Sequence, residues 1–334
     1  MSKVWTRKGK HSALQEIAKD LVLKAQRRKR ISHLDLPWLL NCSESAAFVE
    51  YWFAEPQRSS LASLALQIAR LRERDGGWVC DALQLALSRI IVTKQAGASL
   101  AWDVSHSRPH RKRDENDYDV FEGFLRATQR LVDTLDSERL PASGNIGQGD
   151  CRRLTKVKRA SVDAVVTSPP YLNAIDYLRG HKLSLVWLGH TIPDLRAIRG
   201  GAVGTERAGS HNDDEYGELE NAVRSIRQLP PRQKNIVRKY AQDAALIIKE
   251  MKRVLRPGGL LVLVLGDSNL QGNPVYNSRI FKHIASANGF ILETERKRPL
   301  QSNRRYLPIA ESSGALANRM KTEVLQSYRC SSSA

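Results

Sequence analysis

The chain has 334 residues, 41% of them hydrophobic, and 53 Lys and Arg against 35 Asp and Glu give it a formal charge of +18. That apolar content excludes a disordered chain and is enough for one α/β domain with a substantial helical part, while the charge favours a polyanionic partner, bound in a salt-dependent way, over an acidic membrane. Cys42, Cys80, Cys151 and Cys330 are widely spaced, with no C-x-x-C and no matching His spacing, so neither a metal site nor a disulfide framework is expected; with no signal peptide or transmembrane stretch legible, the expected location is the cytoplasm.

In chain order, residues 11–27 carry Leu14, Ile17, Ala18, Leu21 and Val22 at helical spacing, and residues 61–71 repeat the pattern. Basic clusters follow the first helix, at Lys24-Ala25-Gln26-Arg27-Arg28-Lys29-Arg30, and recur over residues 106–113. Each reads equally as a solvated face. His106 and His110 are four apart, but Pro109 between them argues for a loop. A third helix is expected over residues 119–135, through Val120, Phe121, Phe124, Leu125, Leu131, Val132 and Leu135. The expected division is a basic helical segment, residues 1–118, followed by an α/β core, residues 119–330.

Within that core, Gly144-Asn145-Ile146-Gly147-Gln148-Gly149-Asp150 reads as a weak strand ending in Gly-Asp or as a glycine-rich turn. Val162-Asp163-Ala164-Val165-Val166 has the composition of a buried strand, and it runs through Thr167 into Ser168-Pro169-Pro170-Tyr171. The two prolines stop the ladder and stiffen the loop. Gly200-Gly201-Ala202-Val203-Gly204 follows a polar stretch and reads as a flexible loop. Residues 240–254 form an amphipathic helix ended by Arg256-Pro257-Gly258-Gly259, and residues 260–265 form a buried strand leading to Gly266-Asp267-Ser268. A helix over residues 278–288 and strands over 290–294 and 322–328 complete the pattern. This alternation predicts a doubly wound α/β sheet, in which ligands bind beyond the carboxyl ends of the strands.

The S-P-P-Y loop, the preceding Gly149-Asp150 and the following order helix, R-P-G-G, strand together resemble the amino-directed DNA methyltransferases that modify N4 of cytosine or N6 of adenine. The resemblance implies an S-adenosylmethionine-dependent Rossmann-like sheet. It implies that Ser168 and the Pro169 carbonyl accept hydrogen bonds from an exocyclic amine, with Pro170 stiffening the loop and Tyr171 stacking on a flipped base. Serine in the first position leans toward N4 of cytosine. Asp150 and Thr167 would face the cofactor, while Asn173, Asp176 and Tyr177, in the continuation Y-L-N-A-I-D-Y, border the substrate or simply start a helix.

The family's glycine-rich D-P-F-x-G-x-G cofactor loop occurs nowhere in the sequence, so the sheet is expected to be incomplete. A fragment of a longer enzyme, a split enzyme whose second polypeptide supplies the first strands, or a remnant without catalysis would each account for that. DNA is favoured over RNA as the partner. A transfer-RNA-type base methyltransferase and an inactive nucleic-acid-binding remnant are the alternatives.

Overall fold

A computed structural model describes residues 2–6, 11–27, 31–75, 77–93, 97–102, 110–137, 144–172, 177–205, 226–270, 272–300 and 322–331. The chain divides into two compact units, one made of residues 1–146 with 176–199, the other of residues 147–175 with 200–334. After the S-P-P-Y loop, residues 176–199 return to the first unit.

The first unit is helical. After the single turn α1 (Ser2–Trp5) come α2 (Ala13–Gln26), α3 (Ser43–Trp52), α4 (Glu55–Asp75) and α5 (Trp78–Ile91). A two-residue antiparallel pair, β1 (Ala101–Trp102) with β2 (His110–Arg111), precedes α6 (Val120–Ser137). On α2 the buried residues Leu14, Ala18, Leu21, Val22 and Ala25 form one stripe, and on α6 Phe124, Leu131, Val132 and Leu135 form another. Both stripes close on α5, whose Leu83, Ala86, Leu87, Ile90 and Ile91 are buried, while Asp81, Gln84, Ser88 and Arg89 lie on its less buried side. Later in the chain, α7 (Tyr177–Leu185) and a 3₁₀ turn (Val186–Leu188) return Leu183, Val186 and Trp187 to this core. There the Trp187 ring meets Phe53 edge-on at 5.1 Å, and Trp38 Nε1 donates to the Val186 carbonyl at 2.8 Å. The next helix, α8 (Ile192–Gly201), crosses the boundary between the units.

The second unit is built on a four-stranded sheet of order β3-β4-β8-β7: β3 (Val162–Thr167), β4 (Leu255–Gly266), β7 (Phe290–Pro299) and β8 (Thr322–Cys330). The hairpin β5 (Ser268–Leu270) with β6 (Asn273–Val275) lies between β4 and β7. Strands β3 and β4 pair in parallel through α9 (Pro231–Val254), which Pro231 opens at the position where a missing N–H costs nothing. The sheet is mixed rather than wholly parallel, because β8 inserts antiparallel between β4 and β7.

Arg256-Pro257-Gly258-Gly259 does not simply end the helix. Leu255 already pairs with Val162, and the next pair is Ala164 with Leu260, so these four residues bulge out of β4, with Gly258 at φ +75°. Residues 144–149 form no strand, and Asp150 makes only an isolated bridge to Arg153, so the glycine-rich turn is the arrangement found.

Helices α9 and α10 (Asn277–Ala287) share one core with alternate residues of the sheet, Leu261, Leu263, Leu265, Tyr328 and Cys330. The residues of opposite parity, Leu260, Val262, Val264 and Leu325, are half-buried. Val166 and Ile291 on that face are 72% and 60% exposed.

Candidate active site

Thr167 pairs with Leu263, and the chain leaves the sheet at Ser168 because neither proline can continue the ladder. The loop is then held from three directions. Ser168 is exposed, and its Oγ lies 3.1 Å from the Val264 carbonyl and 3.0 Å from the Tyr171 hydroxyl. Tyr171 is half-buried, with its hydroxyl 3.4 Å from Glu323 Oε1 and 3.5 Å from the Val264 carbonyl. Each hydroxyl has one proton. When Ser168 donates to Val264, Tyr171 is left to donate to Ser168 or to Glu323. Glu323 comes from β8, its side chain only 13% exposed, and is paired with Arg298 of β7.

From below, Tyr240 of α9 donates its hydroxyl proton to the Pro170 carbonyl at 3.0 Å. Burial pushes the Tyr240 phenol far above its ordinary value, so it remains a donor. On another side, Gly204 at φ +81° lies so close that an added Cβ would stand 2.9 Å from the Tyr171 carbonyl oxygen. The glycine run over 200–204 is therefore partly a packing element of this loop.

Ser168 and Tyr171 are thus brought together, and Tyr171 turns its hydroxyl inward in this arrangement. Asp150 is engaged elsewhere. Its Oδ1 accepts from the Arg152 backbone N–H at 2.9 Å, and its carboxylate accepts from Arg152 Nε and from Nη2 at 2.8 Å. Arg152 also donates to the nearly buried Asp243 at 2.9 Å and to the Gly201 carbonyl at 3.0 Å, while Lys239 holds the other Asp243 oxygen at 3.2 Å. Asn173 and Asp176 lie outside the described residues, and Tyr177 is the first residue of α7.

The Arg152 hydrogen bonds hold the Asp150 carboxyl below its ordinary value of about 3.9. Its contribution to stability is therefore complete above that value and lost as pH falls through the lower folded one. Arg152→Ala should move the Asp150 titration upward toward the ordinary value in a carboxyl NMR titration; an unmoved midpoint would remove Arg152 as the cause.

Among the described residues no three His, Cys, Asp or Glu side chains converge as a metal site, and no described helix is long and apolar enough to cross a membrane. Arg296, Lys297 and Arg298 are exposed along β7. Arg196 is paired with Glu44. The loop supports contributed by Glu323, Tyr240 and Gly204 lie far from it in sequence and carry no local motif. The helical spacing that makes Tyr240 a core residue was their one legible signal.

The chain matches no protein-family model. It is 26% identical over 247 residues to the Type II methyltransferase M.AvaI of Nostoc sp. (strain PCC 7120 / SAG 25.82 / UTEX 2576), a match covering 64% of this chain and 51% of that protein. The same figures hold for M.AvaI of Anabaena variabilis. The chain therefore spans about half the length of the curated relatives it matches. A crystal structure of a DNA modification methylase from Thermus thermophilus is 16% identical with a TM-score of 0.29, covering 55% of this chain and 52% of that one. For the same protein complexed with S-adenosyl-L-methionine the values are 17%, 0.30, 55% and 52%. Likeness at that level defines neither fold nor activity.

Proposed function

We propose that the chain carries the target-base clamp of an S-adenosylmethionine-dependent DNA methyltransferase that modifies an exocyclic amine, N4 of cytosine in preference to N6 of adenine. The observation that carries the reading is the Ser168–Tyr171 pair, 3.0 Å apart on a double-proline loop at the carboxyl end of β3. Its chemistry suits an amine whose lone pair is delocalised into the base. An exposed Oγ with a spare lone pair, beside the Pro169 carbonyl, can accept the amine protons and hold the nitrogen nearer tetrahedral geometry. Tyr171 offers an aromatic face to a base taken out of its stack once its hydroxyl leaves the Ser168 and Glu323 contacts. The 26% identity to M.AvaI over 247 residues supports the same class.

The cofactor would supply an electrophilic methyl group. Asp150 suits one part of it: the carboxylate is ionised, about half exposed and oriented by Arg152, leaving acceptor positions for an adenine amine. Thr167, at the end of β3, would border the same region. Nothing in the sequence offers a glycine-rich cradle for the rest of the cofactor, so we assign that cradle to a further polypeptide segment, in a longer or split enzyme.

The test is transfer of labelled methyl groups from S-adenosylmethionine to DNA by the protein as isolated from its native cells, with the modified nucleoside identified after digestion. N4-methylcytosine is the expected product. Ser168→Ala with Tyr171→Ala should lower transfer by a factor of about a hundred or more, with DNA retention unchanged. Activity persisting in that double variant would sink the site assignment, and label appearing in transfer RNA alone would redirect the reading to an RNA substrate.

A further inference from the structure

Among the described side chains, Tyr51 is the one aromatic more than half exposed, at 52%. It stands at the end of α3 beside two aromatics that the fold absorbs, since Phe53 is fully buried and Trp52 packs against the helical core. Tyrosine is a weaker helix former than the Lys, Glu or Leu that suit an exposed helical position, so no local preference accounts for it. The Arg111 guanidinium lies over the Tyr51 ring, 5.0 Å from its centroid, and the Trp52 ring meets Tyr51 edge-on at 5.1 Å. Three residues back on the same side of the helix, the Phe48 ring carries a second cation, Lys182 Nζ of α7, at 5.1 Å.

Backbone hydrogen bonds fix this arrangement. Leu100 N–H donates to the Trp52 carbonyl at 2.8 Å, tying the approach to β1 to the end of α3, and Lys112 N–H donates to the Leu100 carbonyl at 3.1 Å. Ala101 then pairs with Arg111, so the register of β2 places the guanidinium above the ring. Asn116 holds the same approach by donating to the Gly97 and Ser99 carbonyls at 2.8 and 3.3 Å. His110, Arg111 and Lys112 are exposed in a row. The Arg111 pair with Asp114, at 3.2 Å, involves a carboxylate 94% exposed, where an ion pair contributes little and salt screens it. A ligand phosphate can displace it.

We infer that Tyr51 and Arg111 form a stacking site for an unpaired base of single-stranded DNA, with Arg111 and Lys112 meeting the flanking phosphates. A phenol ring and a guanidinium plane both take the π-face of a base, a mode of binding that tolerates any sequence. Bases inside a duplex offer only their edges, so the platform selects an open strand. An acidic peptide would satisfy the cations but leave the aromatic face unused. The formal charge of +18 draws the same polyanion. The inference rests on the function proposed above only for the choice of DNA over RNA, because stacking itself does not distinguish the sugars.

The test is fluorescence anisotropy of the full chain with a labelled oligothymidylate of about 12 nucleotides, compared with its duplex on oligoadenylate and with oligouridylate of the same length. Tyr51→Ala should weaken single-strand binding about tenfold while changing duplex binding less than about twofold and leaving the slope of affinity against salt as it was. Tyr51→Phe should bind as the parent does. Arg111→Gln should weaken binding and lower the salt slope by about 0.7, the share of one phosphate contact on a single strand. An unchanged denaturant midpoint in both variants separates lost stacking from lost folding. Three results would overturn the inference: Tyr51→Ala binding the single strand as the parent does, an equal loss on the duplex, or tighter binding of oligouridylate than of oligothymidylate. Tyr51-dependent binding in a chain that transfers no methyl group would support the stacking site and count against the functional reading alone.

Discussion

Replacing Tyr240 by Ala should destabilise the α/β unit by about 3–5 kcal/mol, the range for deleting a fully buried aromatic ring. Tyr240 is 1% exposed and meets Phe281 edge-on at 6.1 Å, inside the core shared by α9, α10 and the sheet. Tyr240→Phe separates the ring from its hydroxyl. Only the hydrogen bond to the Pro170 carbonyl is lost, at a cost of about 1 kcal/mol. The Phe variant should therefore keep most of the denaturant midpoint but speed amide exchange at Tyr171 and Leu172, since Pro169 and Pro170 have no amide to report. Equal midpoints for the Ala and Phe variants would mean that the ring does not stabilise this core. Unchanged exchange in the Phe variant would mean that the Pro170 contact does not hold the loop.

Gly204→Ala should have the second largest effect, arising from two separable causes. A side chain at φ +81° costs about 1–2 kcal/mol, and the added Cβ would stand 2.9 Å from the Tyr171 carbonyl oxygen and 3.7 Å from Pro170 Cβ. The first contact is with backbone, which cannot swing aside as a side-chain tip can. Gly258→Ala isolates the first cause, because Gly258 lies in the same unit at φ +75° with nothing within 4 Å of an added Cβ. The Gly204 variant should lower the denaturant midpoint further than the Gly258 variant and shift the Ser168, Tyr171 and Leu172 amide resonances. Equal effects of the two substitutions would show that the loop yields freely and that Gly204 does not position it.

Much of the architecture was legible because local periodicity and burial agree. The stripe of Leu14, Ala18, Leu21 and Val22 has one helical solution that buries it, and the apolar run over 260–265 has one sheet solution. The S-P-P-Y loop was legible for a similar reason, since two prolines after a β-branched run end a strand whatever surrounds them. Asp150 was a different case. Three glycines before it weaken any strand, and its carboxylate is taken by Arg152, a local hydrogen-bonding option that competes with a sheet ladder.

Which unit a helix joins was not legible either. Leu183, Val186 and Trp187 follow the loop closely in sequence, yet they complete the core of α2, α5 and α6, because that core offered apolar partners for Trp187. Amphipathic pattern states that a face must be buried, not against what.

The sequence by itself determined the helices over residues 11–27, 61–71, 119–135, 240–254 and 278–288, the four strands of the second unit's main sheet and the stiff loop that ends β3, because each depends on side-chain spacing and proline chemistry within a few residues. Only the tertiary structure decided that β8 inserts antiparallel beside β4, that Glu323 reaches Tyr171 from 152 residues away, and that Tyr240 and Gly204 brace the same loop. Those contacts depend on which surfaces meet when the apolar stripes are buried together, and meetings over such separations leave no periodic trace along the chain.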